Sequence, residues 1–92
     1  MPRHNFREFT VWQTSMELAK MVYASLSELP NEEKFGLRSQ ISRCVVSVPS
    51  NIAEGSARGT DKHFKQYLKT ALGSLFELET QLLLAQDFEY IS

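Results

Sequence analysis

The chain has a single cysteine, only two histidines and a formal charge of just −1 over its 92 residues. None of its apolar runs approaches the ~18 residues of a membrane span. Each scarcity excludes a class of protein. Cys44 has no second cysteine to pair with, so a disulfide scaffold is ruled out and a reducing compartment, the cytoplasm, is the expectation. So few histidines and thiols supply neither zinc-ligand spacing nor the paired Glu-x-x-His motifs of a di-iron bundle, and no metal or cofactor is expected. The opening MPRHNFREFT lacks the apolar segment of a signal peptide. A near-zero charge carries no global basic signature, so nucleic-acid binding would need a local patch. At 42% apolar and 23% charged the composition is that of an ordinary globular chain, long enough for one small domain.

Three helical periodicities follow one another, without strand-like alternation. The first spans about residues 10–28, with Trp12, Met16, Ala19, Tyr23 and Leu26 on one stripe and Gln13, Glu17, Ala24 and Glu28 opposite. Pro30 ends it. Asn31 reads as the cap of a second helix over about 32–54, with Glu32 and Glu33 suiting the dipole of its first turn and Gly55 as its stop. Leu37, Ile41, Cys44, Val45, Val48 and Ile52 share its apolar face, so Cys44 reads as a small buried hydrophobe. Pro49 inside this pattern predicts a kink. After a short loop, Thr60 reads as the cap of a third helix over about 60–87. Its expected core line is Phe64, Leu68, Ala71, Leu75, Leu78, Leu82 and Ala85. Short connections make neighbouring helices antiparallel, so the expected fold is all-α, an up-down helical bundle in a single domain over 1–92.

Two features exceed what three amphipathic helices need. Leu72, Phe76, Leu83 and Leu84 spread apolar surface around the third helix, and Val46, Pro49 and Ala53 do so on the second. A generously packed core accounts for such residues, as does a surface that docks a further helix or subunit; self-association is the reading adopted. The second feature is a charge split. Residues 58–69 carry Arg58, Lys62, Lys65 and Lys69 against Asp61, a net of +3, whereas residues 70–92 carry four acids and no base, a net of −4. Lysines at the start of a helix oppose its dipole, so local helix stability does not explain them. A solvated face is the commonest meaning of such a ridge. The alternative is a phosphate site on the helix start, flanked by Arg58 and Thr60.

Along the second helix runs a polar row, Gln40, Arg43, Ser47, Asn51 and Glu54, suited to a half-buried seam. Glu79 falls among Leu72, Leu75 and Leu82 on the wheel of the third helix, and a buried carboxylate demands a partner. A structural network of Arg43, Ser47, Asn51, Glu54 and Glu79 is therefore expected, in preference to a catalytic carboxylate. No catalytic residue emerges elsewhere. His4 lies at the start of the chain and His63 at a helix entrance, two residues from Asp61 and so off its helix face, and no serine has a visible base. The loop Gly55–Thr60 lacks the Gly-Lys-Ser/Thr ending of a phosphate loop, and no enzyme is expected. Trp12, Tyr23 and Phe64 read as core aromatics rather than base-stacking platforms, whereas Phe6, Phe9 and Tyr90 are less constrained.

FREFTVWQTSMELAKMVY, LPNEEKFGLRSQISRCVVSVPSNIAEGSARG and FKQYLKTALGSLFELETQL, in that order and spacing, resemble the four-helix-bundle proteins encoded within 23S rRNA intervening sequences. These are similar in turn to the accessory protein of diversity-generating retroelements. The most specific pieces are Val11-Trp12-Gln13, Gln40-Ile41-Ser42-Arg43, Asn51-Ile52-Ala53-Glu54-Gly55, and Gly73-Ser74 with Glu77 and Glu79. The resemblance implies an antiparallel four-helix bundle assembled into a ring, commonly a homopentamer, with nucleic-acid binding as its leading proposed role. Family members carry a fourth helix after the segment matching ELET, whereas Ser92 falls about where that helix would begin, so the fourth helix is expected to be absent or cut short. The resulting expectation is a non-enzymatic oligomeric bundle binding RNA or DNA backbone through Arg58, Lys62, Lys65 and Lys69, with no membrane or small-molecule partner. The rival is an assembly module that docks a protein on the apolar faces of its second and third helices.

Overall fold

A computed structural model describes residues 5–92, and His4, one of the two histidines, lies outside them. Among the described residues the regular structure is entirely helical: α1 (Thr10–Ser25), α2 (Leu37–Ser56) and α3 (Asp61–Asp87), with single 3-10 turns at Phe6–Glu8, Leu26–Glu28 and Asn31–Glu33. Helix α2 is central. Its Ser47 meets Ser74 while its Glu54 meets Tyr67, so α2 and α3 run antiparallel. Its N-terminal half packs on Val22, Leu26 and Leu29 and its C-terminal half on Phe9 and Trp12, which makes α1 antiparallel to it as well. The chain is an up-down-up bundle.

The core has two parts. Val22, Leu26, Leu29, Ile41, Cys44, Val45 and Leu78 form one; Val48, Ile52 and Ala71 form the other, and Leu75 touches both. Ile41, Val45, Ile52 and Leu78 are the largest wholly buried side chains. Each contributes on the order of 1.5–3 kcal/mol by leaving water. The bundle is 19 × 18 Å across. That is about two helix diameters, so its recesses are surface grooves.

Local chemistry explains the ends. Pro30 starts a 3-10 turn over Asn31–Glu33, and Gly36 (φ −104°, ψ −112°) lies outside helical space. Helix α2 consequently begins at Leu37 instead of at residue 32, and Asn31 does not cap it. Glu33 does that work, its Oε1 accepting the Leu37 N–H at 2.9 Å, while Tyr90 donates to Oε2 of the same carboxylate at 3.2 Å. That bond holds the Tyr90 phenol above its ordinary pKa. Gly55 is not the stop of α2. It lies inside the helix, buried, where a Cβ would come within 2.5 Å of the Tyr67 Cβ, so its role is close approach of α2 to α3. Helix α2 runs through Pro49 as one element. On α3, Thr60 Oγ1 accepts the His63 N–H at 3.2 Å. The helix ends in a Schellman motif: Tyr90 N–H bonds Ala85 O and Glu89 N–H bonds Gln86 O, with Glu89 in the left-handed region at φ 62°.

The core line of α1 is Ser15, Leu18, Val22 and Leu26, continued by Leu29. Tyr23, read above as a core aromatic, is 51% exposed. The α2–α3 seam meets α1 about one position round from the stripe that hydrophobicity alone suggests, so the amphipathic Tyr23 falls on the wet side. Phe6 and Phe9 are packed: Phe6 lies edge-on to Trp12 at 5.3 Å, and Phe9 stacks on Phe64 at 5.9 Å.

Candidate nucleic-acid-binding face and neighbouring grooves

The start of α3 presents Lys62, Lys65 and Lys69, all exposed, at three- and four-residue steps on one ridge. Among the described residues none of the three has a carboxylate within 4.0 Å. Arg58 differs. Its Nη2 lies 2.9 Å from Glu54 Oε2 and bonds the Tyr67 hydroxyl, and its guanidinium sits 4.7 Å over the Tyr67 ring. Arg58 and Glu54 thus pin the corner where α2 turns into α3, and part of the Arg58 charge is compensated there. Thr60 uses its hydroxyl on His63, leaving the remaining first-turn amides for solvent or an anion.

Two members of the polar row of α2, Ser47 and Asn51, bond back to their own helix. Ser47 Oγ donates to Cys44 O at 2.9 Å, and Asn51 Nδ2 to Ser47 O at 2.7 Å. Such back-bonding lets short polar groups sit half-buried without a partner helix supplying every bond. Two members of the row bond across to α3: Ser47 to Ser74, Oγ to Oγ at 2.6 Å, and Glu54, whose Oε2 accepts from the Tyr67 hydroxyl at 3.2 Å. The buried, paired Glu79 expected from the wheel is a correction: Glu79 is exposed and makes no hydrogen bond or ion pair among the described residues. Ala71 and Leu78 are the buried core residues of α3 against α2, flanked on the polar side by Ser74, Glu77 and Gln81, whereas Glu79 lines the groove on the α1 side. Arg43 is likewise exposed and outside the Ser47–Ser74 link.

Glu77, absent from the expected network, has a direct electrostatic effect. Burial first, and then the Glu77 carboxylate 3.6 Å from Sγ, push the Cys44 thiol from 9.0 up to about 11. The thiol therefore stays protonated at neutral pH and donates to Ser74 O at 2.9 Å. It is a hydrogen-bonded core group and a poor nucleophile. No trio of His, Cys, Asp and Glu among the described residues is placed to hold a metal ion.

Two apolar grooves flank α1. One, about 530 Å3, lies between α1 and α3, lined chiefly by Leu18, Leu75, Phe76, Leu82 and Leu83, with Glu79 on its lining. The other, about 410 Å3, lies between α1 and α2, with Trp12 and Met16 against Val46, Pro49 and Ala53. Leu72, Phe76, Leu83 and Leu84 are all exposed, Phe76 by 59%. Three helices thus leave one long side of α3 uncovered, and this is why the wheel placed Glu79 inside an apolar stripe that no helix covers here.

An all-helical bundle with a polar α2–α3 seam and a bare apolar side to its last helix is the class of protein this geometry defines. Residues 7–92 match the profile of the family described as 23S rRNA-intervening sequence protein, and the chain belongs to that family. No curated protein matches the sequence.

Proposed function

We infer that the chain works as a non-enzymatic, cytoplasmic homo-oligomer that binds RNA or DNA through backbone phosphates. The observation that carries this reading is the ridge of Lys62, Lys65 and Lys69, exposed and, among the described residues, with no carboxylate within 4.0 Å, in a chain of net charge −1. Lysines so placed on a helix start gain nothing from the dipole, and their free charge suits phosphate. Self-association is supported by the exposed apolar side of α3 and the apolar grooves on either side of α1, which a second copy would cover. A ring, a pentamer in the family resemblance, would multiply the ridge into a continuous basic belt. The exposed apolar side of α3 equally favours the second reading, an assembly module that docks a different protein there. Among the described residues no helix is long and apolar enough to cross a membrane.

The test has two stages. Light scattering gives the mass in solution, and binding of a single-stranded RNA and a duplex DNA is then followed across a salt series. Affinity should fall steeply with salt, and the double substitution Lys62→Glu with Lys65→Glu should lower the log–log slope by roughly two per chain engaged. Binding that ignores salt, or no binding, overturns the phosphate reading; a monomer overturns the ring.

A further inference from the structure

We propose that α3 seats the α3 of a second copy in antiparallel register, Lys69 of each chain against Glu79 of the other, which specifies the surface of the self-association inferred above and rests on it. Starting at Lys62, alternating steps of three and four residues reach Lys65, Lys69, Leu72 and Phe76. The same steps continue through Glu79 and Leu83 to Gln86. This is the seven-residue spacing of a coiled-coil seam, here about 36 Å long on one side of a helix. Every residue on it is exposed. A second line of similar spacing, Ala71, Leu75, Leu78, Leu82 and Ala85, is the buried or half-buried one. Helix α3 thus has two seams, and the bundle covers one of them.

The open seam is graded in charge, with lysines at its start, Leu72 and Phe76 in its middle and Glu79 in its second half. That grading selects the occupant, because it is complementary to the same helix running the opposite way. A parallel pair would set each lysine against itself and Glu79 against Glu79. An antiparallel pair with its two-fold axis at the level of Ser74 sets Leu72 opposite Phe76, Lys69 opposite Glu79 and Lys65 opposite Leu83, each twice. Sliding one heptad one way puts Lys65 on Phe76 and Lys69 on Leu72, leaving no apolar pair. Sliding it the other way puts Glu79 on Phe76. Of the three registers, the one centred at Ser74 matches apolar with apolar and base with acid. Lys65 can lay its stem on Leu83 and turn its ammonium to water. Glu79, which makes no ion pair among the described residues, gains one there. The contact is isologous, so it pairs chains and leaves the groove between α1 and α2 for any ring. Lys62 and Lys65 keep their charges for phosphate at its two ends.

The experiment follows the mass of the full chain, freed of nucleic acid, against concentration by sedimentation equilibrium. Lys69→Glu and Glu79→Lys change exposed side chains, so each variant should fold, which circular dichroism checks. Each creates two like-charge contacts across the pair and should weaken association roughly tenfold. Mixing the two variants in equal amounts should restore the wild-type mass, because one chain then carries both acids and the other both lysines. Lys69 and Glu79 stand ten residues apart, about 15 Å along one helix, so no contact within a chain can produce that rescue. An oligomer that either variant leaves unweakened, or that mixing does not rescue, overturns the α3 pairing and leaves self-association standing. A wild-type monomer overturns both.

Discussion

Replacing Gly55 by alanine and Gly73 by alanine should shift stability in opposite directions, although both glycines lie within helices of one helix pair. In a helix interior alanine is favoured over glycine by about 1 kcal/mol, because glycine loses more backbone freedom on folding. At Gly73 nothing lies within 4 Å of an added Cβ, so that gain should appear almost in full. At Gly55 the new methyl would meet Tyr67 Cβ at 2.5 Å, Phe64 Cδ1 at 3.1 Å and Tyr67 Cγ at 3.2 Å. Carbon atoms rest at about 3.5–4.0 Å, so the ends of α2 and α3 would have to separate by ~1 Å. A Cβ cannot swing aside as the tip of a long side chain can. Overpacking of this kind costs about 1–3 kcal/mol. The separation would also strain the Tyr67–Glu54 bond and the Arg58 stack. Gly55→Ala should therefore lose about 1–2 kcal/mol net and Gly73→Ala gain about 0.5–1 kcal/mol. In a domain this small, 1 kcal/mol moves the melting midpoint by roughly 4–8 °C. Thermal unfolding followed by far-ultraviolet circular dichroism, at one fixed protein concentration, separates the two outcomes. A midpoint for Gly55→Ala raised as much as that for Gly73→Ala would refute the packing argument.

Two further effects follow from the same structure. The Cys44 thiol titrates at about 11 when folded and 9.0 when unfolded, so the unfolded chain gives up its proton first and stability should fall as pH rises from 9 towards 11. The Cys44 share of the loss by pH 10.5 is about 2 kcal/mol, so urea unfolding at pH 8 and 10.5 should show a fall in stability larger in the wild type than in Cys44→Ala by that amount, the raised Tyr90 phenol contributing in both. An equal slope in both proteins would show that Cys44 is not the group responsible. Glu89 holds a left-handed conformation at φ 62° in the cap of α3, where glycine carries no Cβ penalty. Glu89→Gly should accordingly raise stability by about 0.5–1 kcal/mol; a lower urea midpoint would count against the capping geometry.

The helical class and the identity of the third helix's cap were legible in the chain itself, because they depend on interactions that are local. A Thr hydroxyl reaches an amide three residues on whatever surrounds it. The apolar excess of α3 was legible for the same kind of reason: Leu72, Phe76, Leu83 and Leu84 cannot all point inwards from one helix. The lysine ridge is likewise a property of spacing. Periodicity assigns each side chain an angle about its own axis, and no neighbour is needed to count it.

What periodicity omits is where the neighbour stands, and that decided everything else. Helix α2 settles against Ala71, Ser74, Leu78 and Gln81, to one side of Glu79, so Glu79 is exposed and Gln81 is buried. Gly55 looks like a helix stop in one dimension; only the approach of Tyr67 shows it to be a contact point. Tyr23 and the start of α2 shifted for related reasons, one through the azimuth of the α2–α3 seam and the other through a carboxylate that caps from the preceding turn. The residues themselves specify helices and their greasy and charged sides, because those are set by bonds within a few positions; which sides meet, and hence which polar groups share a cleft, is a matter of packing among segments far apart in the chain.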